Sequence, residues 1–148
     1  MYVRANRLTT ARHFCVREAT GGWRVVHAYN KLNTATIPPQ TPIPRKDVLF
    51  NSMGKLTKFS ALDLKDGYYQ VLMNETDVAK TVVSTSSGML SGWLVMPQGL
   101  KNAPATFSRV VAHVMRPHRA YAPHYFDDVF VHSRTEDGLS EIESHKRH

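Results

Sequence analysis

Cysteine is all but absent: Cys15 is the single one in 148 residues. That excludes an internal disulfide and a cysteine-built zinc cage. No apolar run approaches the ~20 residues of a membrane span. No membrane partner is therefore expected, and the chain reads as intracellular and not secreted. Acidic residues are scarce, 12 against 19 lysines and arginines, for a formal net charge of +7. The imbalance favours polyanions such as nucleic acid. The first 17 residues hold four arginines and no acid, a faint likeness to a transit peptide. Strand-like sequence begins at once in "HFCVR", which suits the start of a basic hairpin better. Internal repeats and low-complexity segments are also lacking. His145 and His148 have no partner ligands nearby in sequence and are expected to be solvated.

Strands and turns are what the chain has instead. "HFCVREATGGWRVVHAY" predicts two strands around a turn at Gly21 and Gly22. "NTATIPPQTPIP" is too rich in proline for regular structure and predicts a loop or extended arm. "PRKDVLFNSMG" predicts a short helix. Pro44 suits its first turn, Val48, Leu49, Ser52 and Met53 share a face, and Gly54 suits the exit.

"LTKFSALDL" alternates as a strand ending near Asp63. "KDGYYQVLMN" is expected to turn at Gly67 and continue extended. "KTVVSTSSGMLSGWLVMP" predicts a hairpin about Ser86, Ser87 and Gly88. "NAPATFSRVVAHVMRP" is the strongest helix, with Asn102 as cap and a core stripe of Phe107, Val110, Val111, Val114 and Met115; Pro117 ends it. "AYAPHYFDDVFVHS" predicts a last hairpin, followed by a polar tail with a nascent helix. This order implies an α+β fold, an antiparallel sheet with helices packed on one face.

Within that last hairpin, "YFDDVFVHS" sets Asp127 and Asp128 side by side between apolar flanks. Strand interiors avoid aspartate, and adjacent carboxylates repel. Asp63 ends another apolar strand. If the two strands are neighbours, three carboxylates converge. Mg²⁺ prefers oxygen ligands, and two such ions ~3.5–4 Å apart clamp the oxygens of a phosphoryl displacement. Mn²⁺ is an alternative ion. An Asp-Asp pair alone also fits a surface turn, and clustered carboxylates also fit a metal-dependent phosphatase or nuclease.

Five motifs occur in order: "GWRVV…NKLN", "PIPR", "FSALDLKDGYYQ", "LVMPQGLKNAPATF" and "YFDDVFVHS". From about Phe14 to Ser133 the chain resembles the reverse transcriptase of gypsy-type LTR retrotransposons, and more distantly the retroviral enzyme. The resemblance implies a right-hand polymerase fold cut before the thumb. About 12–55 would be the fingers-side hairpin, arm and helix, about 56–134 the palm core with interleaved fingers elements, and 135–148 a polar tail.

The resemblance also implies roles. Asp63 and Asp127 would bridge two Mg²⁺ ions, the Leu64 carbonyl would add a ligand, and Asp128 would be auxiliary. Phe126 would lie beneath the primer end. Asp66 and Gly67 would turn backbone N–H groups to the triphosphate, where glycine permits close approach. Tyr68 would crowd the sugar 2′ position, Gln98 would sit beside the nucleotide, and Arg24 would grip the triphosphate. Arg17 would be a further phosphate contact. Tyr68 and Tyr69 point oppositely on an extended segment, so only one would line the pocket.

The implied reaction is RNA-directed DNA synthesis, with a dNTP and an RNA or DNA template carrying a primer. The remaining polyprotein domains (thumb, RNase H, integrase) would be further partners. The pattern departs from the family at Glu18, Ala19 and Thr20, at Ala28 and Asn30, and in stopping soon after the catalytic hairpin. The alternative is a retroelement remnant that keeps the fold and at most binds nucleic acid.

Overall fold

The computed structural model describes residues 10–19, 21–40, 45–54, 56, 58–135 and 139–147. Its strands are β1 (Ala11–Arg17), β2 (Trp23–His27), β3 (Lys58–Asp63), β4 (Val83–Ser84), β5 (Leu90–Ser91), β6 (His124–Tyr125) and β7 (Asp128–Ser133). Its α-helices are α1 (Asn30–Ala35), α2 (Lys46–Met53), α3 (Glu75–Val78), α4 (Ala103–Val114) and α5 (Glu141–Lys146). Gly67–Gln70, Ala79–Thr81 and Arg116–His118 are 3₁₀ turns. Pro44 and His148, the arginine-rich residues before Thr10, and Thr20 of the first turn lie outside the described residues.

The α+β class holds, but there are two sheets. One has the order β2-β1-β4-β5, the other β3-β7-β6. The β1–β4 pair is parallel, Ala11 facing Val83, so the first sheet is not purely antiparallel. The chain forms two compact units: Met1–Pro39 with Tyr68–Ala103, and Gln40–Gly67 with Pro104–His148.

In the first unit, β1 and β2 form the expected hairpin, Arg17 facing Trp23. Gly21 supplies the positive φ of its turn, +88°. Ala11, Tyr29 and Val83 are buried together, with Leu32, Trp93 and Leu100 packed on them. The Tyr29 hydroxyl donates to the Thr81 carbonyl at 3.0 Å, and the backbone N–H of Trp93 donates to the Thr81 hydroxyl at 3.0 Å. One long-range contact thus satisfies an aromatic hydroxyl that burial would otherwise strand.

The start of the expected arm is helical instead, as α1. Its helix is pinned from outside: the Asn33 amide donates to Gly99 O and its side-chain oxygen accepts from Lys101 N–H, both at 2.8 Å. Proline content could not reveal these contacts.

In the second unit, α2 buries Leu49 and Met53, one turn apart, and leaves Val48 exposed. Along α4 the buried line is Ala103, Phe107 and Val111, whereas Val110 and Val114 are exposed. The covered stripe is therefore narrower than the alternation of valines suggested. Asn102 does not cap α4: its amide donates to Ile37 O at 3.0 Å, and its side-chain oxygen is buried without a partner among the described residues. Among the described residues no helix is long and apolar enough to cross a membrane.

Candidate active site

β6 and β7 pair with Tyr125 facing Asp128, so Phe126 and Asp127 alone make the turn. Two-residue hairpins twist correctly only with positive φ at the first loop residue, normally glycine. Here Phe126 takes it, at φ 53°. A bulky residue there costs on the order of 1–3 kcal/mol and persists only where its surroundings hold it. Tyr125 packs edge-on against the Phe126 ring, centroids 4.8 Å apart, and Lys46 Nζ lies 4.6 Å over the Tyr125 ring. Val129, next along β7, is buried and anchors the hairpin.

β3 runs antiparallel to β7 from Lys58–Ser133 to Asp63–Asp128. Asp63 and Asp128 therefore face each other, and Leu64 N–H donates to Asp127 O at 2.9 Å. The sequence expectation that these strands are neighbours is met in the backbone. Asp63, Asp127 and Asp128 are all exposed, and none joins an ion pair among the described residues.

Like charges directly opposite in a ladder repel. As the side chains stand, no group of three or more His, Cys, Asp or Glu among the described residues is arranged to hold a metal ion. The expected convergence of three carboxylates is thus not preassembled. Uncompensated anions have no reason to close up. The donor chemistry itself fits a hard divalent cation, being anionic oxygen without a competing cationic partner.

Between β3 and the 3₁₀ turn, Asp66 adopts φ 56°, which a short polar residue tolerates. Gly67 is buried, and its N–H donates to Leu64 O at 3.1 Å. That N–H is spent within the turn. A Cβ on Gly67 would sit 2.4 Å from Phe107 Cζ, so the aromatic ring requires glycine here. Tyr68 and Tyr69 follow in the 3₁₀ turn and not in an extended segment. Tyr69 stacks on Trp93, centroids 5.6 Å apart at 21°.

Tyr68, Gln98 and Arg24 belong to the first unit and the carboxylates to the second. Arg24 is exposed on β2 opposite Val16, and Arg17 is exposed at the hairpin end. Gln98 is half-buried in the turn with Gly99, whose φ is +94°.

Sequence reasoning missed the docking of the tail. α5 carries a reciprocal cap between Ser140 and Glu143, a spacing visible in the sequence. His145, expected in solvent, bonds Ser60 of β3 at 2.8 Å and Ser133 of β7 at 2.9 Å. It clasps the two strands whose other ends bear Asp63 and Asp128. Elsewhere burial lowers the pKa of His27, helped by His13, and lowers that of His124. Burial raises that of Tyr29.

The family described as reverse transcriptase (RNA-dependent DNA polymerase) matches residues 16–148. The retrovirus-related Pol polyprotein from transposon 297 of Drosophila melanogaster is 42% identical over 112 residues, which is 75% of this chain and 10% of that protein. An RNA-directed DNA polymerase homolog of Oenothera berteroana is 37% identical over 123 residues, 80% of this chain and 84% of that protein. The foamy viral protease-reverse transcriptase in complex with RNA/DNA hybrid shares the fold, with a TM-score of 0.70 at 20% identity over 91% of this chain and 18% of that one. The chain thus spans about a tenth of the transposon polyprotein's length. With the facing aspartates, the Tyr-Phe-Asp-Asp turn and this family match in hand, the chain belongs to the reverse transcriptases (RNA-dependent DNA polymerases).

Proposed function

We infer that this chain carries the nucleotidyl-transfer centre of an RNA-directed DNA polymerase of the LTR-retrotransposon type. The observation carrying the inference is the β3–β7 register, which sets Asp63 opposite Asp128 with Asp127 on the adjoining turn. A primer 3′-hydroxyl attacks the α-phosphate of a dNTP, a P–O bond forms, and pyrophosphate leaves. Two Mg²⁺ ions, or Mn²⁺, would stabilise the charge on the attacking and leaving oxygens.

Asp63 and Asp127, with the Leu64 carbonyl, would hold those ions, and Asp128 would assist. Arg24 binds the triphosphate as a fixed planar donor. Asp66 and Gly67 shape the turn beside it. Tyr68 excludes a 2′-hydroxyl, Gln98 orients the nucleotide, and Phe126 supports the primer end. The partners are a primed RNA or DNA template, a dNTP, and the other domains of a Pol polyprotein such as those of the relatives. The net charge of +7 supports the nucleic-acid partner.

Primer extension on a poly(rA)/oligo(dT) template with Mg²⁺ or Mn²⁺, by a polymerase containing this segment, tests this reading. Extension that Asp127→Asn abolishes is expected. Salt-sensitive template binding without any extension would support the second reading, a chain that binds nucleic acid but transfers nothing. That reading draws on the absence, among the described residues, of a preassembled three-ligand group.

A further inference from the structure

At the end of β7 far from Asp128 the second unit opens into a cleft of about 380 Å³, within the range of small-ligand sites. Arg119, Tyr121, Pro123, His132, Ser133 and Arg134 line it. Ser133 lies five residues beyond Asp128 on the same strand, so about 17 Å separates the cleft from the carboxylates.

The wall is built into the fold. His132 N–H donates to Tyr121 O and Phe130 N–H to Pro123 O, each at 2.8 Å, which fastens the Tyr121–Pro123 segment along β7. Ser133 is buried, with its hydroxyl held by His145. The Tyr121 hydroxyl is held by His118. Arg119 and Arg134 both line the cleft, and neither joins an ion pair among the described residues. Among the described residues, no carboxylate lines it.

Two permanent cations over one cleft repel each other unless an anion lies between them. Guanidiniums offer paired, coplanar donors that match two oxygens of one tetrahedral anion. A carboxylate supplies one charge and two oxygens. Inorganic phosphate or pyrophosphate supplies more of both, and a nucleic acid does so through neighbouring diesters, so either answers two guanidiniums better.

We propose that this cleft is a phosphate-binding site, gripped by Arg119 and Arg134 and separate from the aspartate turn. The phosphate is either free, as in pyrophosphate, or a phosphodiester of a bound nucleic acid. The site needs no metal and does not depend on the polymerase reading.

Calorimetry on the 148-residue chain with inorganic pyrophosphate in EDTA tests it, alongside salt-dependent binding of a duplex oligonucleotide. The variants are Arg119→Gln/Arg134→Gln and, as a charge-matched control at two exposed arginines, Arg12→Gln/Arg109→Gln. The conservative pair Arg119→Lys/Arg134→Lys keeps the charge but loses the fork, and circular dichroism checks folding in each. A tenfold or greater loss of pyrophosphate affinity in the cleft variant, with the control unchanged, supports a free phosphate ligand. Undetectable pyrophosphate binding, with duplex affinity falling several-fold more in the cleft variant than in the control, supports a phosphodiester. Equal effects of the two arginine pairs, or none from either, would overturn the site.

Discussion

Gly67 lies against the ring of Phe107: a Cβ built on the glycine would come within 2.4 Å of the ring's Cζ. Both residues are buried. The turn that leaves the Asp63 strand is therefore set by packing from α4. Gly67→Ala should destabilise the chain by roughly 1–3 kcal/mol, the usual cost of overpacking. Adding Phe107→Leu should recover part of that loss, because the two changes meet at one contact. Urea denaturation of the single and double variants measures both.

The facing pair Asp63 and Asp128 predicts opposite effects on stability and on metal binding. Asp128→Asn should stabilise the metal-free chain by roughly 0.2–1 kcal/mol, because like charges across a ladder oppose pairing. Asp63→Asn and Asp127→Asn should weaken Mn²⁺ binding by roughly tenfold or more through loss of a hard anionic ligand. Thermal unfolding with EDTA and calorimetric Mn²⁺ titration separate the two. Unaltered Mn²⁺ affinity in both variants would count against the proposed metal ligands.

Acid should loosen the structure through two imidazoles, His27 buried and His124 half-buried. Burial, and for His27 the neighbouring His13, lowers the pKa of His27 and of His124 from 6.5. Below that value the unfolded chain takes up protons that the folded chain resists, so it binds more of them. These groups leave stability unchanged well above pH 6.5. They remove it as pH falls from there toward each folded value, beyond which the loss levels off. Melting temperatures at pH 7.5 and 5.5 should differ less in His27→Phe than in the unaltered chain. An identical difference would show that His27 is not the sensor.

Tyr68 and Tyr69 separate by role. Tyr69 stacks on Trp93, so Tyr69→Ala should cost stability, of order 2–4 kcal/mol for a half-buried ring. In a polymerase containing this segment, Tyr68→Ala should raise ribonucleotide use by roughly tenfold or more, since a small side chain leaves room for the 2′-hydroxyl. Competing dNTP and rNTP incorporation reads this out. An unaltered preference would place the gate elsewhere.

Much of the chain was legible residue by residue. Alternation in "FSALD" and "DVFVHS" marked β3 and β7, and the glycines marked the turns of both other hairpins. The errors share one cause. α1 forms where proline content argued against it because Asn33 is tied to Gly99 and Lys101. Asn102 fails to cap α4 because Ile37 O claims its amide. His145 leaves solvent for Ser60 and Ser133. In each case a partner remote in sequence outweighed a local preference of about 1 kcal/mol.

The sequence by itself determined the aspartates, the strands that carry them, the basic charge and the family. Residue type, period-two alternation and turn chemistry act within a few neighbouring positions. Only the tertiary structure decided that Asp63 faces Asp128, that Gly67 answers to Phe107, and that Arg119 and Arg134 share a cleft. Those facts depend on strand register and close packing, where one residue of slippage turns every side chain to the other face.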